Sequence, residues 1–260
     1  MTPLRVFITG ASSGIGEALS VYYAAQGATL GLVSRRREAL QDLDARLGGR
    51  HAIYAADVAD APVMRAAADD FITRFGPPDI VIANAGISVG TLSECAEDLE
   101  AFRRVMDTNV FGMVATFAPF IPAMQAAMGD GQKRRLVGIA SVAGIRGLPG
   151  AEAYSASKAA AIAYLESLRL EMRPAGIPVV TVVPGYIRTP MTDINDYPMP
   201  FLLDPSEAAR RFARAIERGS SYAVIPWQMG FVAKLLRALP NWLYDHLFTN
   251  APRKARGLLK

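Results

Sequence analysis

The chain has 260 residues, 51% hydrophobic and 20% charged, enough for one substantial core within the usual size of a single domain. Its formal charge of +4, from 28 basic and 24 acidic residues, is a small excess spread along the chain except near its end, which argues against nucleic-acid binding. The single cysteine, Cys95, excludes an intrachain disulfide and any metal site built on paired thiolates; a reducing cytoplasm fits, and no metal is expected. The first residues lack a signal-peptide layout, and no stretch is long and apolar enough to span a membrane.

Residues 4–16, Leu4-Arg5-Val6-Phe7-Ile8-Thr9-Gly10-Ala11-Ser12-Ser13-Gly14-Ile15-Gly16, form an apolar run that breaks into glycines and resumes as the helical pattern Glu17-Ala18-Leu19-Ser20. This reads as strand, tight turn and helix. Glycines at 10, 14 and 16 let the backbone turn sharply and leave the first amides of the helix open to a ligand, and such amides favour a phosphate. The dinucleotide-binding fingerprint works in the same way, although its glycines fall at relative positions one, three and six, and here they fall at one, five and seven. Two other readings fit the stretch. The turn could be a plain connection, or Gly10-Ala11-Ser12-Ser13-Gly14 could be the Gly-x-Ser-x-Gly elbow of a hydrolase with Ser12 as nucleophile. A hydrolase needs a histidine, and only His51 and His246 are present. The order Ser12, an acid, then His246 is formally available but puts the elbow on the first strand.

After the first helix, Gly27 reads as a cap and residues 28–33 as a buried parallel strand ending in Ser34-Arg35-Arg36-Arg37. NAD sites place an acidic residue about twenty positions past the glycines, whereas NADP sites place arginine near the 2′-phosphate. Arg36 stands there, and the group Ser34, Arg35 and Arg36 predicts NADP(H). As a merely solvated helix start, three arginines would oppose the helix dipole unless an anion joined them.

A helix to residue 47 follows, then a strand over 51–56 ending at Asp57-Val58, and a helix over 62–75. The strand over 79–83 breaks at Asn84-Ala85-Gly86, and 99–128 carries one long apolar helical pattern holding Asn109. A fifth strand over 135–140 ends at Ser141, and a helix over 153–172 carries Tyr154 and Lys158. The strand over 177–183 closes on Pro184-Gly185, and the irregular segment 186–203, with Pro190, Pro198 and Pro200, reads as a lid or substrate loop. Asp204 as N-cap and Pro205 in the first turn start another helix, and 222–225 is a last strand. Such alternation implies an α/β fold: a Rossmann-like doubly wound parallel sheet of about seven strands, with helices on both faces and ligands at the C-terminal strand ends.

Tyr154 and Lys158 are four apart and share a helix face. A tyrosine that exchanges protons near neutrality needs its anion stabilised, and a cation one turn away does that. The chain resembles the short-chain dehydrogenase/reductase family from residue 4 to about 225. The resemblance rests on Thr9 to Gly16, Asp57-Val58, Asn84-Ala85-Gly86, Asn109, Ser141, Tyr154 with Lys158, and Pro184-Gly185 with Thr189, all in the family's order. It implies that Tyr154 is the general acid or base, that Ser141 hydrogen-bonds the substrate oxygen, and that Lys158 holds the nicotinamide ribose and lowers the tyrosine pKa. Asn109 would anchor a relay water, Asp57 and Val58 would lie near the adenine, and Ile187 and Thr189 would contact the carboxamide. The implied activity is NADP(H)-dependent hydride transfer between a carbonyl and an alcohol without a metal. A non-catalytic NADP-binding regulator is the alternative.

The dehydrogenase/reductase domain is expected over 1–225, followed by a helical extension over 226–260 packed on it. The extension carries Trp227, Phe231, Leu235, Leu236, Leu239, Trp242, Leu243, Leu247 and Phe248 at helical spacing, broken by Pro240. It reads as a pair of helices over the substrate cleft or a partner subunit. Its six basic residues against one acid, Asp245, with tryptophans flanking the apolar stretch, fit contact with an anionic membrane surface as the rival reading. The family likeness implies a homodimer or homotetramer built on the helices that carry Asn109 and Tyr154. The apolar loop and tail point to a hydrophobic substrate.

Overall fold

The structure, a computed structural model, describes residues 3–195, 197–251 and 253–257. Lys260, one of the six basic residues of the extension, and Asp196 of the irregular loop lie outside them. Seven parallel strands form one sheet: β1 (Arg5–Thr9), β2 (Thr29–Ser34), β3 (Ala52–Ala55), β4 (Ile80–Ala83), β5 (Arg135–Ile139), β6 (Val179–Pro184) and β7 (Tyr222–Ile225), in the spatial order 3-2-1-4-5-6-7. The order reverses between β1 and β4, which opens a crevice at their C-terminal ends.

Period-two alternation along the strands separates two apolar layers. Val6, Ile8, Leu30, Leu32, Ile80 and Ile82 face Leu19 and Tyr23 of α1 (Gly14–Ala25), Leu40 and Leu43 of α2 (Arg37–Arg46), and Phe212 and Ile216 of α8 (Pro205–Glu217). On the other side, Phe7, Val33 and Val81 meet α3 (Ala61–Phe75), α5 (Gly112–Phe117), α6 (Ile121–Ala126) and α7 (Glu152–Met172) through Phe71, Phe117, Met124 and Leu165. Phe7 anchors this layer, its ring centroid 5.5 Å from that of Phe71 and 4.6 Å from that of Phe120. At the opposite end of the sheet from the crevice, buried Asp79 takes the Arg5 side chain at 2.8 Å and the Arg5 amide at 2.8 Å, which pins the register of β1 on β4.

The expected single helix over 99–128 is three pieces. α4 (Asp98–Met106) runs into a π turn at Asp107–Phe111, then α5, a break at 118–120, and α6. The π turn inserts one residue into the helical repeat and buries Asn109, whose side chain binds both the Ile87 amide and carbonyl. Pro122 in the first turn of α6 has no amide to continue the ladder, which accounts for the second break. Asp204 does precede α8, but its carboxylate binds Arg188 at 3.2 Å rather than capping the helix.

Pro240 divides the extension into α9 (Trp227–Ala238) and α10 (Asn241–Phe248). Both pack beside the cleft on the same chain. Met229 presses on Gly185 after β6. Arg146, in the loop after β5, stacks 3.8 Å over the Tyr244 ring and donates to the carbonyls of Leu236 and Leu239, while the Tyr244 hydroxyl donates to the Gly147 carbonyl at 2.6 Å.

Candidate active site

A cleft of about 490 Å³ lies at the reversal of strand order. Its floor is the turn from β1 into α1. Gly10 adopts φ +66°, and Gly16 packs so tightly beneath it that a Cβ would stand 2.1 Å from the Gly10 carbonyl oxygen. Thr9 and Asn84 join this turn to the end of β4: the Thr9 hydroxyl accepts from the amides of Asn84 and Ala85, each at 3.1 Å, and the Asn84 amide group donates to the Thr9 carbonyl at 2.9 Å. Ser13 starts α1 with no side-chain cap, so the first amides of the helix face the cleft unfilled by the chain.

One end of the cleft is basic. β2 ends in Ser34 rather than a carboxylate, and the Ser34 hydroxyl lies 2.7 Å from that of Ser12. Arg36 donates to the Ser12 hydroxyl at 2.9 Å and carbonyl at 3.2 Å, and Arg35 reaches toward Asp57 at 3.8 Å. These contacts overturn the hydrolase alternative. Ser12 bonds Ser34 and Arg36, whereas His51 precedes β3 at the opposite end of the sheet, its ring accepting from the Leu30 amide, and His246 lies on α10.

The reactive end is built from β5 and α7. Ser141 follows β5, its hydroxyl accepting from the Ala143 amide at 3.2 Å. Tyr154 stands in the first turn of α7 and Lys158 one turn on. The Lys158 ammonium donates to the Ile139 carbonyl at 2.9 Å and lies 5.8 Å from the centre of the Tyr154 ring. Burial pushes Lys158 down to about 8. Burial also pushes the Tyr154 phenol up, and a hydrogen bond with Ser141 works against that. Asn109 holds the wall behind: its amide group donates to the Ile87 carbonyl and the Ser157 hydroxyl, both at 2.9 Å, and its oxygen accepts from the Ile87 amide at 2.8 Å.

Of the residues singled out in the sequence, Gly10, Ser12, Ser13, Gly14, Ile15, Ser34, Arg35, Arg36, Asp57, Val58, Asn84, Ala85, Gly86, Ser141, Tyr154, Lys158, Pro184, Gly185, Ile187 and Thr189 all line this one cleft. Thr9, Gly16 and Asn109 stand behind its wall. Ala56, Ile87, Thr108, Ile139, Ala140, Pro190, Met191 and Thr192 also line it. Nothing in their chemistry marked them in advance, except that 190–192 fall in the expected substrate loop. Thr192 folds that loop back, donating to the Ile187 carbonyl at 2.7 Å and accepting from the Thr189 amide at 2.9 Å.

The family model for short chain dehydrogenases matches residues 5–197, about three-quarters of the chain. The chain belongs to the short-chain dehydrogenase family. An uncharacterized oxidoreductase from Myxococcus xanthus (strain DK1622) is 37% identical over 250 residues, covering 94% of this chain and 96% of its own. The 11-beta-hydroxysteroid dehydrogenase-like 2 of Arabidopsis thaliana is 33% identical over 257 residues, covering 94% and 82%. Among solved structures, a 3-ketoacyl-(acyl-carrier-protein) reductase from Brucella melitensis, complexed with NADH, superposes with TM-score 0.79 at 27% identity, covering 85% and 96%. A short chain dehydrogenase from Burkholderia cenocepacia J2315 in complex with NADP gives 0.79 at 26%, covering 96% and 98%. As a short-chain dehydrogenase the protein is an oxidoreductase with a nicotinamide cofactor. The residues present fit that group: the Gly10–Gly16 turn leaves backbone amides open for a pyrophosphate, and cationic side chains border the far end.

Proposed function

We propose that this short-chain dehydrogenase uses NADP(H) to interconvert a hydrophobic ketone or other carbonyl with its alcohol, with Tyr154 as the proton donor and acceptor. The observation that carries this reading is the placement of Ser141, Tyr154 and Lys158 in one cleft with the glycine turn and the Arg35–Arg36 pair. When bound, the nicotinamide supplies or accepts the hydride. Ser141 fixes the substrate oxygen by donating its hydroxyl proton. Tyr154 is held in its neutral form by burial, so in the direction of reduction it has a proton to give to that oxygen. Lys158 stands near enough to offset the negative charge that develops on the phenol, and it holds the nicotinamide ribose. The Asn109 oxygen spends one lone pair on Ile87 and keeps the other for a relay water. Asp57 and Val58 border the adenine, and Ile187 and Thr189 the carboxamide.

Arg36 and Arg35 hold the 2′-phosphate in place of the ribose-binding carboxylate of an NAD site. A charge-assisted bond of this kind contributes about 1.5–3 kcal/mol, so Arg36→Ala lowers NADPH affinity roughly 10- to 100-fold and leaves NADH affinity nearly unchanged. Fluorescence titration of the wild type and Arg36→Ala with both cofactors checks this. Equal losses for the two cofactors would remove Arg36 from the phosphate site.

The partner reading follows from exposed apolar side chains. Leu99, Phe111 and Leu170 are exposed on the α4–α7 side, which supports a homodimer there. On the outer side of the extension, Trp227, Phe231 and Leu235 recur every fourth residue along α9 and are 72%, 69% and 56% exposed; Trp242 and Leu247 of α10 are 72% and 57% exposed. Lys234 and Arg237 share α9, and Asp245 is the lone acid of the two helices. The exposed apolar side chains beside Lys234 and Arg237 support peripheral docking on anionic lipid, and no helix of the described residues is long and apolar enough to cross a membrane. Cosedimentation with phosphatidylglycerol vesicles, but little with phosphatidylcholine, is expected, and Phe231→Asp abolishes it without changing the fold. Concentration-dependent dimerisation lost in the same variant, with no lipid binding, would make the face an interface between copies.

A further inference from the structure

Residues 253–257 return beside Tyr154 as a strap. The Gly90 amide donates to the Ala255 carbonyl at 2.9 Å, and Arg256 pairs with Gly90 as a parallel bridge. The approach is so close that a Cβ on Gly90 would stand 2.1 Å from the Lys254 carbonyl oxygen. Arg256 fastens one side, with its Nε 2.7 Å from Asp98 and its Nη2 3.0 Å from Glu97 at the start of α4. The stem of Arg253 covers Gly150, just before the helix of Tyr154. The strap is thus fixed to the segments that follow Ile87 and precede Tyr154.

Between these anchors Lys254 lies beside Tyr154. Its Nζ donates to the Ser88 hydroxyl at 2.8 Å and lies 5.7 Å from the centre of the Tyr154 ring, as near as Lys158 does. The residue is half-buried, and burial pushes its pKa down to about 8, so it is still largely an ammonium at neutral pH. Among the described residues no carboxylate pairs with it. Glu97 and Asp98 are taken by Arg256, and Glu152 accepts from Ser93. A desolvated ammonium whose partners are a neutral hydroxyl and a distant ring face is costly unless an anion joins it. Ser88 accepts from Lys254 and keeps its own proton free, so the pair presents two donors to one ligand.

We propose that Lys254, with Ser88, binds the substrate, and that the substrate carries a carboxylate close to its reacting carbonyl. Two donors from one ammonium and one hydroxyl match the two oxygens and single charge of a carboxylate. The assignment rests on the reading of Tyr154 given above, because it is Tyr154 that marks where the reacting oxygen lies. It narrows the hydrophobic substrate class to oxo acids or hydroxy acids with an apolar remainder. It also gives the tail a task distinct from that of the outer faces of α9 and α10.

Two measurements test it, one independent of turnover. In calorimetric titrations, wild-type protein is expected to bind octanoate more tightly than octanamide, Lys254→Met to lose about 10- to 100-fold of octanoate affinity, and Lys254→Arg to recover part of it. In turnover with NADPH, medium-chain 2-, 3- and 4-oxo acids are compared with their methyl esters. The acid-to-ester ratio of kcat/KM is expected to fall about 10- to 100-fold in Lys254→Met. No preference of the wild type for octanoate over octanamide, or equal losses on acid and ester in the variant, would overturn the proposal. Carboxylate binding that depends on Lys254 without turnover of any acid, ester or ketone would uphold the site and instead sink the reductase reading.

Discussion

Replacing Tyr154 with phenylalanine lowers turnover by about a thousandfold while NADPH affinity is retained. The ring stays, so the packing of the first turn of α7 survives; only the hydroxyl bonded to Ser141 is lost. A positioned acid or base contributes roughly 10²–10⁴ in rate, and no other neutral proton donor with a phenol's acidity lines the cleft among the described residues. Steady-state kinetics beside a cofactor titration separate the two effects. Turnover within tenfold of wild type would remove Tyr154 from the proton transfer; lost cofactor binding would mean that the substitution had disturbed the cleft itself.

Gly16→Ala is the second large effect, and two opposing magnitudes decide its sign. In an unconstrained helix the change would stabilise by about 1 kcal/mol. Here the new Cβ would stand 2.1 Å from the Gly10 carbonyl oxygen and 2.6 Å from the Asn84 amide nitrogen. Backbone of the turn cannot yield as a flexible side chain can, and overpacking of this kind costs about 1–3 kcal/mol. The net result is destabilisation of roughly 1 kcal/mol, and at most about 2, in urea unfolding, together with a loss of NADPH affinity, because the displaced atoms carry the amides of the cofactor turn. A variant as stable as wild type with full affinity would show that the turn tolerates a side chain and that the spacing of glycines at 10, 14 and 16 has another cause.

The sheet was legible because buried parallel strands announce themselves as short apolar runs, and each of the seven runs became a strand. The site was legible for a related reason: polar residues such as Asn84, Ser141 and Arg36 interrupt the pattern where strands end, and in this fold those ends converge. Where local pattern and tertiary demand diverge, the sequence is silent. The apolar spacing through 99–128 continues across Asp107–Phe111, and only the hydrogen bonds of Asn109 with Ile87 and Ser157 account for the π turn. Asp204 has the right type and place for a cap, yet Arg188 competes for its carboxylate. Lys254 counted among six basic residues of a tail that suited a lipid surface, and it lies instead beside Tyr154. Its position depends on Gly90, Asp98 and Gly150, more than 100 residues away in the chain, and no periodicity connects them.

The extension carries a large apolar outer face on α9 and α10 and, separately, the strap beside Tyr154. The helices rest on Arg146, Gly147 and Gly185 beside the cleft and turn their large apolar side chains outward. A hydrophobic substrate dissolved in lipid would meet the protein at that face, close to the loop after β5.

Hydride transfer is tested most simply by cofactor oxidation by the purified protein, followed with NADPH and with NADH against a panel of hydrophobic ketones and oxo acids, with esters supplied in parallel without cofactor. NADPH is expected to be consumed in step with alcohol formation, far faster than NADH, with the esters untouched. NADPH that binds but is oxidised by no carbonyl, together with NADP+ that is reduced by no alcohol, would rule out the reductase and leave a cofactor-binding protein without catalysis.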